Sequence, residues 1–151
     1  MSKRFPLEVV MELTRRQADE AAAALNALRQ KERAAQQTLD MLEACRADYH
    51  DRFSRTSQDG LRNEQWRNYH EFIAKLNAAI TQQAETLSQC RLQVQAGLSH
   101  WQECRVKLKS FDVLLERHQR GEMQLETKRE QREQDEQSSA SHARHRNQEQ
   151  D

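Results

Sequence analysis

Residues 66–80, which read WRNYHEFIAKLNAAI, carry the pattern that decides the fold. Apolar side chains recur there three and four residues apart, in the order Trp66, Tyr69, Ile73, Leu76 and Ile80. Residues at these spacings lie on one face of an α-helix. A single stripe of this kind is the seam by which the two helices of a coiled coil pack. The stretch therefore predicts a coiled-coil helix.

The same spacing extends in both directions and predicts two long helices. The second, over about residues 64–125, continues the seam through Gln83, Leu87, Cys90, Val94, Gly97, Trp101, Cys104, Leu108, Phe111, Leu115, His118, Glu122 and Leu125. The first, over about residues 7–54, has the seam Leu7, Met11, Thr14, Ala18, Ala21, Leu25, Leu28, Glu32, Ala35, Leu39, Leu42, Arg46, Tyr49 and Phe53. The whole chain has 3 Gly and 1 Pro in 151 residues, so few residues interrupt a helix.

A turn is predicted over residues 55–63, where Gly60 stands among Ser, Thr, Asp and Gln. We expect Asn63 to cap the second helix, because its side-chain oxygen can accept from a free backbone N–H. A short turn between long amphipathic helices makes them antiparallel. The prediction is an all-α fold, a long antiparallel two-helix coiled-coil hairpin over residues 1–125.

The position of the turn also predicts how the helices pair. With its centre near residue 59, Tyr49 lies opposite Tyr69. Glu32 and Arg46 are charged residues at seam positions, and two hypotheses remain open for them. They form cross-helix pairs or extend to solvent and so set the register, or they contact a partner directly.

A polar tail follows the hairpin. Residues 126–151 contain no Leu, Ile, Val, Met or aromatic side chain. A segment of this composition has no apolar surface to bury against another element. We therefore expect helical fraying after residue 125 and disorder from about Gln137.

Charge and hydropathy exclude several classes of protein. Lys plus Arg and Asp plus Glu both number 24, which argues against a nucleic-acid-binding protein. No apolar run approaches the roughly 20 residues of a membrane span, so direct membrane insertion is not expected. The first residues lack the apolar region of a secretory signal. These features predict a cytoplasmic protein.

The sequence has no combination of residues that predicts catalysis or metal binding. It lacks a Gly-rich phosphate loop and a zinc-binding His or Cys motif, and it offers no nucleophile with a recognisable base. His50 and His70 are predicted to lie near each other across the hairpin, but two ligands are too few for a metal site. We therefore predict a protein-binding protein rather than an enzyme, with no cofactor, no metal and no catalytic residue.

A second stripe beside the seam is the strongest candidate for partner binding. On the second helix it consists of Phe72, Leu76, Ala79 and Gln83. The matching positions of the first helix are Thr38, Leu42, Cys45 and Tyr49. We call these eight residues the partner face. A stripe wider than one seam either presents an apolar surface to a partner or thickens the hairpin core, with Phe72 folded over the seam.

The aromatic spacing Trp66-x-x-Tyr69-x-x-Phe72, together with Trp101, resembles the second helix of the FliJ family of flagellar type III export proteins. The resemblance covers about residues 7–115. It implies a stalk-like hairpin that inserts into the export ATPase hexamer and promotes its assembly and activity. It also implies binding to the cytoplasmic linker of the membrane export gate, escort of export chaperones, and a cytoplasmic location peripheral to the inner-membrane export apparatus.

By position, the resemblance implies that the partner face contacts the export gate. Two residues depart from the family pattern, which has His at position 83 and more often an aromatic residue at position 45. The stalk regions are Leu7–Gln30 and Trp101–Leu125. Two alternatives remain at this point: the equivalent stalk of an injectisome, and a self-associating structural coiled coil.

Overall fold

The computed structural model describes residues 5–60 and 62–149, and these form two helices joined by a short turn. Helix α1 spans Glu8–Gln58 and helix α2 spans Asn63–Gln148. No strand occurs in the described part of the chain. The predicted all-α helical hairpin is confirmed. The prediction about the first four residues lies outside the described residues.

The chain divides into two compact units, and the larger one, Arg16–Cys104, contains the turn. Its core is a cluster of seam residues in which Leu42 packs from the edge: Ala35, Leu39, Leu76, Ile80, Leu87 and Cys90. Both helices contribute to this cluster, which combines the small Ala35 and Cys90 with larger aliphatic side chains. Most predicted seam positions are therefore on the buried face of the two helices in this unit. Trp66 is an exception to the prediction: it is 53% exposed, because it lies in the first turn of α2, beyond the part of the seam that α1 covers.

The other unit combines the chain up to Arg15 with the chain from Arg105 onward. The rings of Phe5 and His118 lie 5.4 Å apart, so the start of the chain packs against α2. Thr14 is buried at its predicted seam position, and its hydroxyl donates to the carbonyl of Val10 at 2.8 Å. This bond lets a polar residue occupy the seam without an unsatisfied hydroxyl.

The turn is shorter than predicted. Helix α1 continues four residues past Ser54, to Gln58, because the hydroxyls of Thr56 and Ser57 bond to preceding carbonyls without interrupting the helix. The chain reverses at Gly60, whose φ of 91° lies in the left-handed region that favours glycine.

The predicted cap of α2 is wrong, because Asn63 is already the first helical residue. The carbonyl of Arg62 accepts the first helical bond, from Trp66, so Arg62 occupies the capping position. Its backbone N–H donates to Oε1 of Gln65 at 3.4 Å, which is one half of a capping box. The side-chain bond at the start of α2 therefore comes from Gln65, within the helix, rather than from Asn63.

The tail also differs from the prediction. Helix α2 extends to Gln148 rather than fraying after residue 125 and becoming disordered from Gln137. Every residue from Met123 to Glu149 is exposed, so no tertiary packing holds this segment. Its Glu, Gln, Lys, Arg and Ala residues have high helix propensity, and it contains no Gly or Pro. The helix propensity of these residues accounts for the longer helix. The prediction of disorder considered only the low hydropathy of the segment.

Candidate partner-binding face

The partner face lies beside a layer of aromatic rings near the turn. Tyr69 is buried on the seam, and its ring stacks on Phe53 with centroids 3.6 Å apart. It is also nearly parallel to Tyr49 of α1, at 5.7 Å and an interplanar angle of 3°. The predicted pairing of Tyr49 with Tyr69 is confirmed. The layer fixes the register of the two helices at this end of the larger unit.

Phe72 extends this layer to the surface. Its ring lies 4.4 Å from that of Tyr49, tilted by 44°, so it packs across the seam onto the other helix. Phe72 nevertheless remains 39% exposed and Tyr49 36% exposed. Both hypotheses for the second stripe therefore hold in part, because Phe72 covers the seam and still presents apolar surface.

The other six residues of the partner face divide by exposure. Cys45 is exposed, while Thr38, Leu42, Ala79 and Gln83 are half-buried and Leu76 is buried in the core cluster. The side-chain amide of Gln83 donates across the hairpin to the carbonyl of Ala35 at 3.0 Å. The hydroxyl of Thr38 donates to the carbonyl of Ala34 at 3.0 Å. Leu76 supports the face from below, and Gln83 connects the two helices at its edge.

The opposite side of the seam is polar, and its side chains bond across the hairpin. By helical spacing, the polar residues on this side of the seam do not share a face with Thr38 and Cys45. We call this set the polar flank: Glu32, Gln36, Arg46, His50, Asn77 and Arg91. Arg46 donates to Oδ1 of Asn77 at 3.0 Å. Arg91 donates to Oε1 of Gln36 at 3.1 Å and lies 3.6 Å from a carboxylate oxygen of Glu32. The hypothesis that Glu32 and Arg46 form cross-helix pairs is confirmed.

The two sides of the seam therefore expose different kinds of side chain to a binding partner. The polar flank forms hydrogen bonds and an ion pair across the hairpin, whereas the partner face exposes an aromatic pair. Exposed aromatic side chains beside a buried core are the usual anchors of protein interfaces. This arrangement fits a protein–protein contact on the side of Phe72.

Residues 2–147 match the family model of the flagellar FliJ protein. The chain belongs to the FliJ family. The flagellar FliJ protein of Escherichia coli strain K12 is 28% identical over 117 residues, which cover 78% of this chain and 80% of the relative. The flagellar FliJ protein of Salmonella typhi is also 28% identical over 117 residues, with the same coverage. Family membership makes this chain a component of flagellar protein export, and thus of flagellum biogenesis and motility.

Two features of this FliJ-family hairpin were missed in the sequence. Met41 is 66% exposed, three residues after Thr38 and four before Cys45, so it enlarges the apolar surface of the partner face. The helical spacing itself could have indicated it. A groove of about 310 Å³ also lies next to the exposed aromatic pair, lined by Tyr49, Arg52, Phe53, Thr56, Gln65, Asn68 and Tyr69. This groove depends on the turn geometry, which the spacing does not specify.

The histidines near the turn both contact the aromatic layer. Nδ1 of His50 lies 2.7 Å from the hydroxyl of Tyr69, and the rings of His70 and Trp66 are 4.0 Å apart. Among residues 5–60 and 62–149, no group of three or more His, Cys, Asp or Glu could hold a metal ion. Neither helix, within the described residues, contains a stretch long and apolar enough to cross a membrane.

Proposed function

We propose that this FliJ-family protein links the flagellar export ATPase to the membrane export gate as a stalk-like adaptor. It inserts into the ATPase hexamer, promotes hexamer assembly and ATP hydrolysis, and binds the cytoplasmic linker of the gate through the partner face. It also escorts export chaperones. The protein acts in the cytoplasm, peripheral to the inner-membrane export apparatus, and it acts by binding rather than by catalysis.

The exposed pair of Phe72 and Tyr49 is the observation that supports gate binding. An aromatic side chain has an accessible area of roughly 200 Å², so the 39% exposed fraction of Phe72 leaves about 80 Å² to bury against a partner. At about 25 cal/mol per Å², burying that area contributes about 2 kcal/mol to binding. A single residue of this size is enough to dominate a small interface.

Calorimetric titration with the cytoplasmic linker of the gate tests this proposal. Phe72→Ala should weaken binding about 30-fold, which corresponds to about 2 kcal/mol. Trp66→Ala is the matched control, because Trp66 is also exposed and close to the turn but contacts His70 on the other side of the seam. Equal affinities for Phe72→Ala and the unmodified protein would refute a gate contact on this face.

The proposed stalk role concerns the helix ends, Leu7–Gln30 and Trp101–Leu125. The unit that contains residues 5–15 and 105–149 presents many charged side chains to solvent. The large apolar side chains that it exposes, such as Val9 and Met123, are aliphatic rather than aromatic, so this surface has no exposed aromatic pair like Tyr49 and Phe72. We therefore expect many weak contacts with the ring rather than a few strong ones.

ATP hydrolysis by the matching export ATPase, measured with and without this protein, tests the stalk role. We expect faster hydrolysis and more hexameric rings in electron micrographs when the protein is present. Phe72→Ala should stimulate as well as the unmodified protein, because its defect is confined to the gate contact. No change in turnover or ring number would refute the stalk role, and hydrolysis by this protein alone would refute a non-enzymatic function. Cross-linking that captures only copies of this chain would instead indicate a self-associating coiled coil.

A further inference from the structure

Tyr69 contacts residues on both sides of the seam. Its side chain is buried, with the ring stacked on Phe53 and parallel to Tyr49, and Tyr49 in turn contacts Phe72. Its hydroxyl lies 2.7 Å from Nδ1 of His50, which belongs to the polar flank. A chain of direct contacts therefore runs from His50 through Tyr69 to the exposed aromatic pair.

From this geometry we infer that Tyr69, held by His50, is the positioning residue of the partner face. It sets the orientation of Tyr49 and, through Tyr49, of Phe72. The inference deepens the proposed function and rests on it, because the partner that Phe72 anchors is the gate linker. Neither His50 nor Tyr69 contacts that partner directly.

The physical reason is the cost of ordering an exposed anchor. A side chain that moves freely in the unbound protein loses conformational entropy on binding, and this loss weakens the complex. Stacking restrains a ring in one direction, while the bond to His50 prevents the Tyr69 ring from sliding along the seam. A restrained Tyr69 therefore keeps Tyr49 and Phe72 in one arrangement before the partner arrives.

Packing alone would not require tyrosine at position 69. A phenylalanine would stack equally well, and a buried hydroxyl is unfavourable unless it is hydrogen-bonded. His50 supplies that bond from a surface position, on a groove of about 340 Å³ that is also lined by Glu43, Arg46, Ala47, Tyr69, Ile73 and Asn77. A bond that serves hairpin stability alone would leave the order of the exposed rings unchanged when it is removed, whereas a positioning bond would not.

The test uses the full chain, and its readouts are affinity for the gate linker and the nuclear Overhauser effect between the rings of Tyr49 and Phe72. Tyr69→Phe and His50→Leu should each weaken linker binding roughly three- to tenfold, because the positioning of the rings can lose at most the free energy of this one intramolecular hydrogen bond. The double variant should bind the gate linker as tightly as the single variants do, because the two substitutions remove the same hydrogen bond. His50→Asn should retain near-normal affinity, since the side-chain amide has both an acceptor oxygen and an N–H donor and can take the place of Nδ1 in either direction.

His70→Leu is the matched control, because His70 shares the aromatic neighbourhood and its ring is 5.2 Å from that of Tyr69. It should leave affinity unchanged. Thermal unfolding of each variant separates the two roles. If His50→Leu lowers stability and affinity together and His50→Asn restores neither, the bond is structural and the inference is overturned.

The controls also separate this inference from the proposed function. If Phe72→Ala loses binding while Tyr69→Phe and His50→Leu bind normally, the positioning role is refuted and gate binding stands. If Phe72→Ala binds normally, the proposed gate contact fails, and the positioning role in gate binding fails with it. The Overhauser effect needs no partner, so its persistence unchanged in Tyr69→Phe would also overturn the inference.

Discussion

Replacing Gly97 with alanine tests a close helix–helix approach in the larger unit. Gly97 lies in the middle of α2, where glycine is normally unfavourable. A Cβ atom at this position would be 2.9 Å from Cδ1 of Leu28 and 3.6 Å from Cδ1 of Leu25. It would also be 3.9 Å from the backbone Cα of Leu25, an ordinary van der Waals distance. The glycine thus leaves space that Leu28 occupies.

Two opposing effects determine the result of Gly97→Ala. Alanine in a helix interior is more favourable than glycine by about 1 kcal/mol. The 2.9 Å contact, however, forces the end of the Leu28 side chain away from its rotamer, which costs about 0.5 to 1.5 kcal/mol. Leu28 is half-buried, so its terminal methyl group can move towards solvent. We therefore expect a net change close to zero in the free energy of unfolding.

Chemical denaturation followed by circular dichroism measures this balance, and the chain supplies its own control. Gly121 also lies within α2, but a Cβ atom there would have nothing within 4 Å. Gly121→Ala should therefore stabilise the protein by about 1 kcal/mol. In a Leu28→Ala background, Gly97→Ala should gain the same amount, because the obstructing methyl group is absent. Equal stabilisation by Gly97→Ala and Gly121→Ala in the unmodified chain would refute the close approach.

Four further predictions concern the turn, a core side chain of α2, an exposed side chain of α2 and the exposed end of that helix. Gly60→Ala should destabilise the hairpin by roughly 1–2 kcal/mol in thermal unfolding, because φ of 91° strains a residue with a Cβ atom; an unchanged midpoint would contradict this. Leu87→Ala, at a side chain only 4% exposed, should cost about 2–5 kcal/mol in denaturant titrations. Leu92→Ala, at a side chain 64% exposed, should change stability by less than about 0.5 kcal/mol. Removing residues 126–151 should reduce the helical dichroism but leave the midpoint unchanged, because no residue from 123 to 149 is buried; a lower midpoint would reveal packing by this segment.

Much of the fold follows from the sequence alone. The 3–4 spacing around Tyr69 and Leu76 predicts the helices and their buried face, since that face depends only on helical geometry. The short segment around Gly60 predicts antiparallel pairing, because no longer connection is available. Together these features predict that Tyr49 pairs with Tyr69, as the structure has it. The aromatic spacing also indicated the FliJ family, which the match over residues 2–147 confirms.

The boundaries of the helices were less predictable. Composition suggested a break at Ser54 and disorder from Gln137, yet α1 ends at Gln58 and α2 at Gln148. Thr and Ser residues suit both turns and helix ends, so their presence does not decide between the two. A polar segment without Gly or Pro similarly fits an exposed helix as well as a disordered tail.

The tertiary structure alone decided which residues of the partner face are exposed and can contact a partner. Spacing places Phe72 and Leu76 on the same stripe, but only the distance and rotation between the helices leave one exposed and bury the other. The same geometry directs Gln83 to the carbonyl of Ala35 and brings His50 to the hydroxyl of Tyr69. Periodicity along one helix cannot specify these contacts, because each depends on where a side chain of the other helix lies.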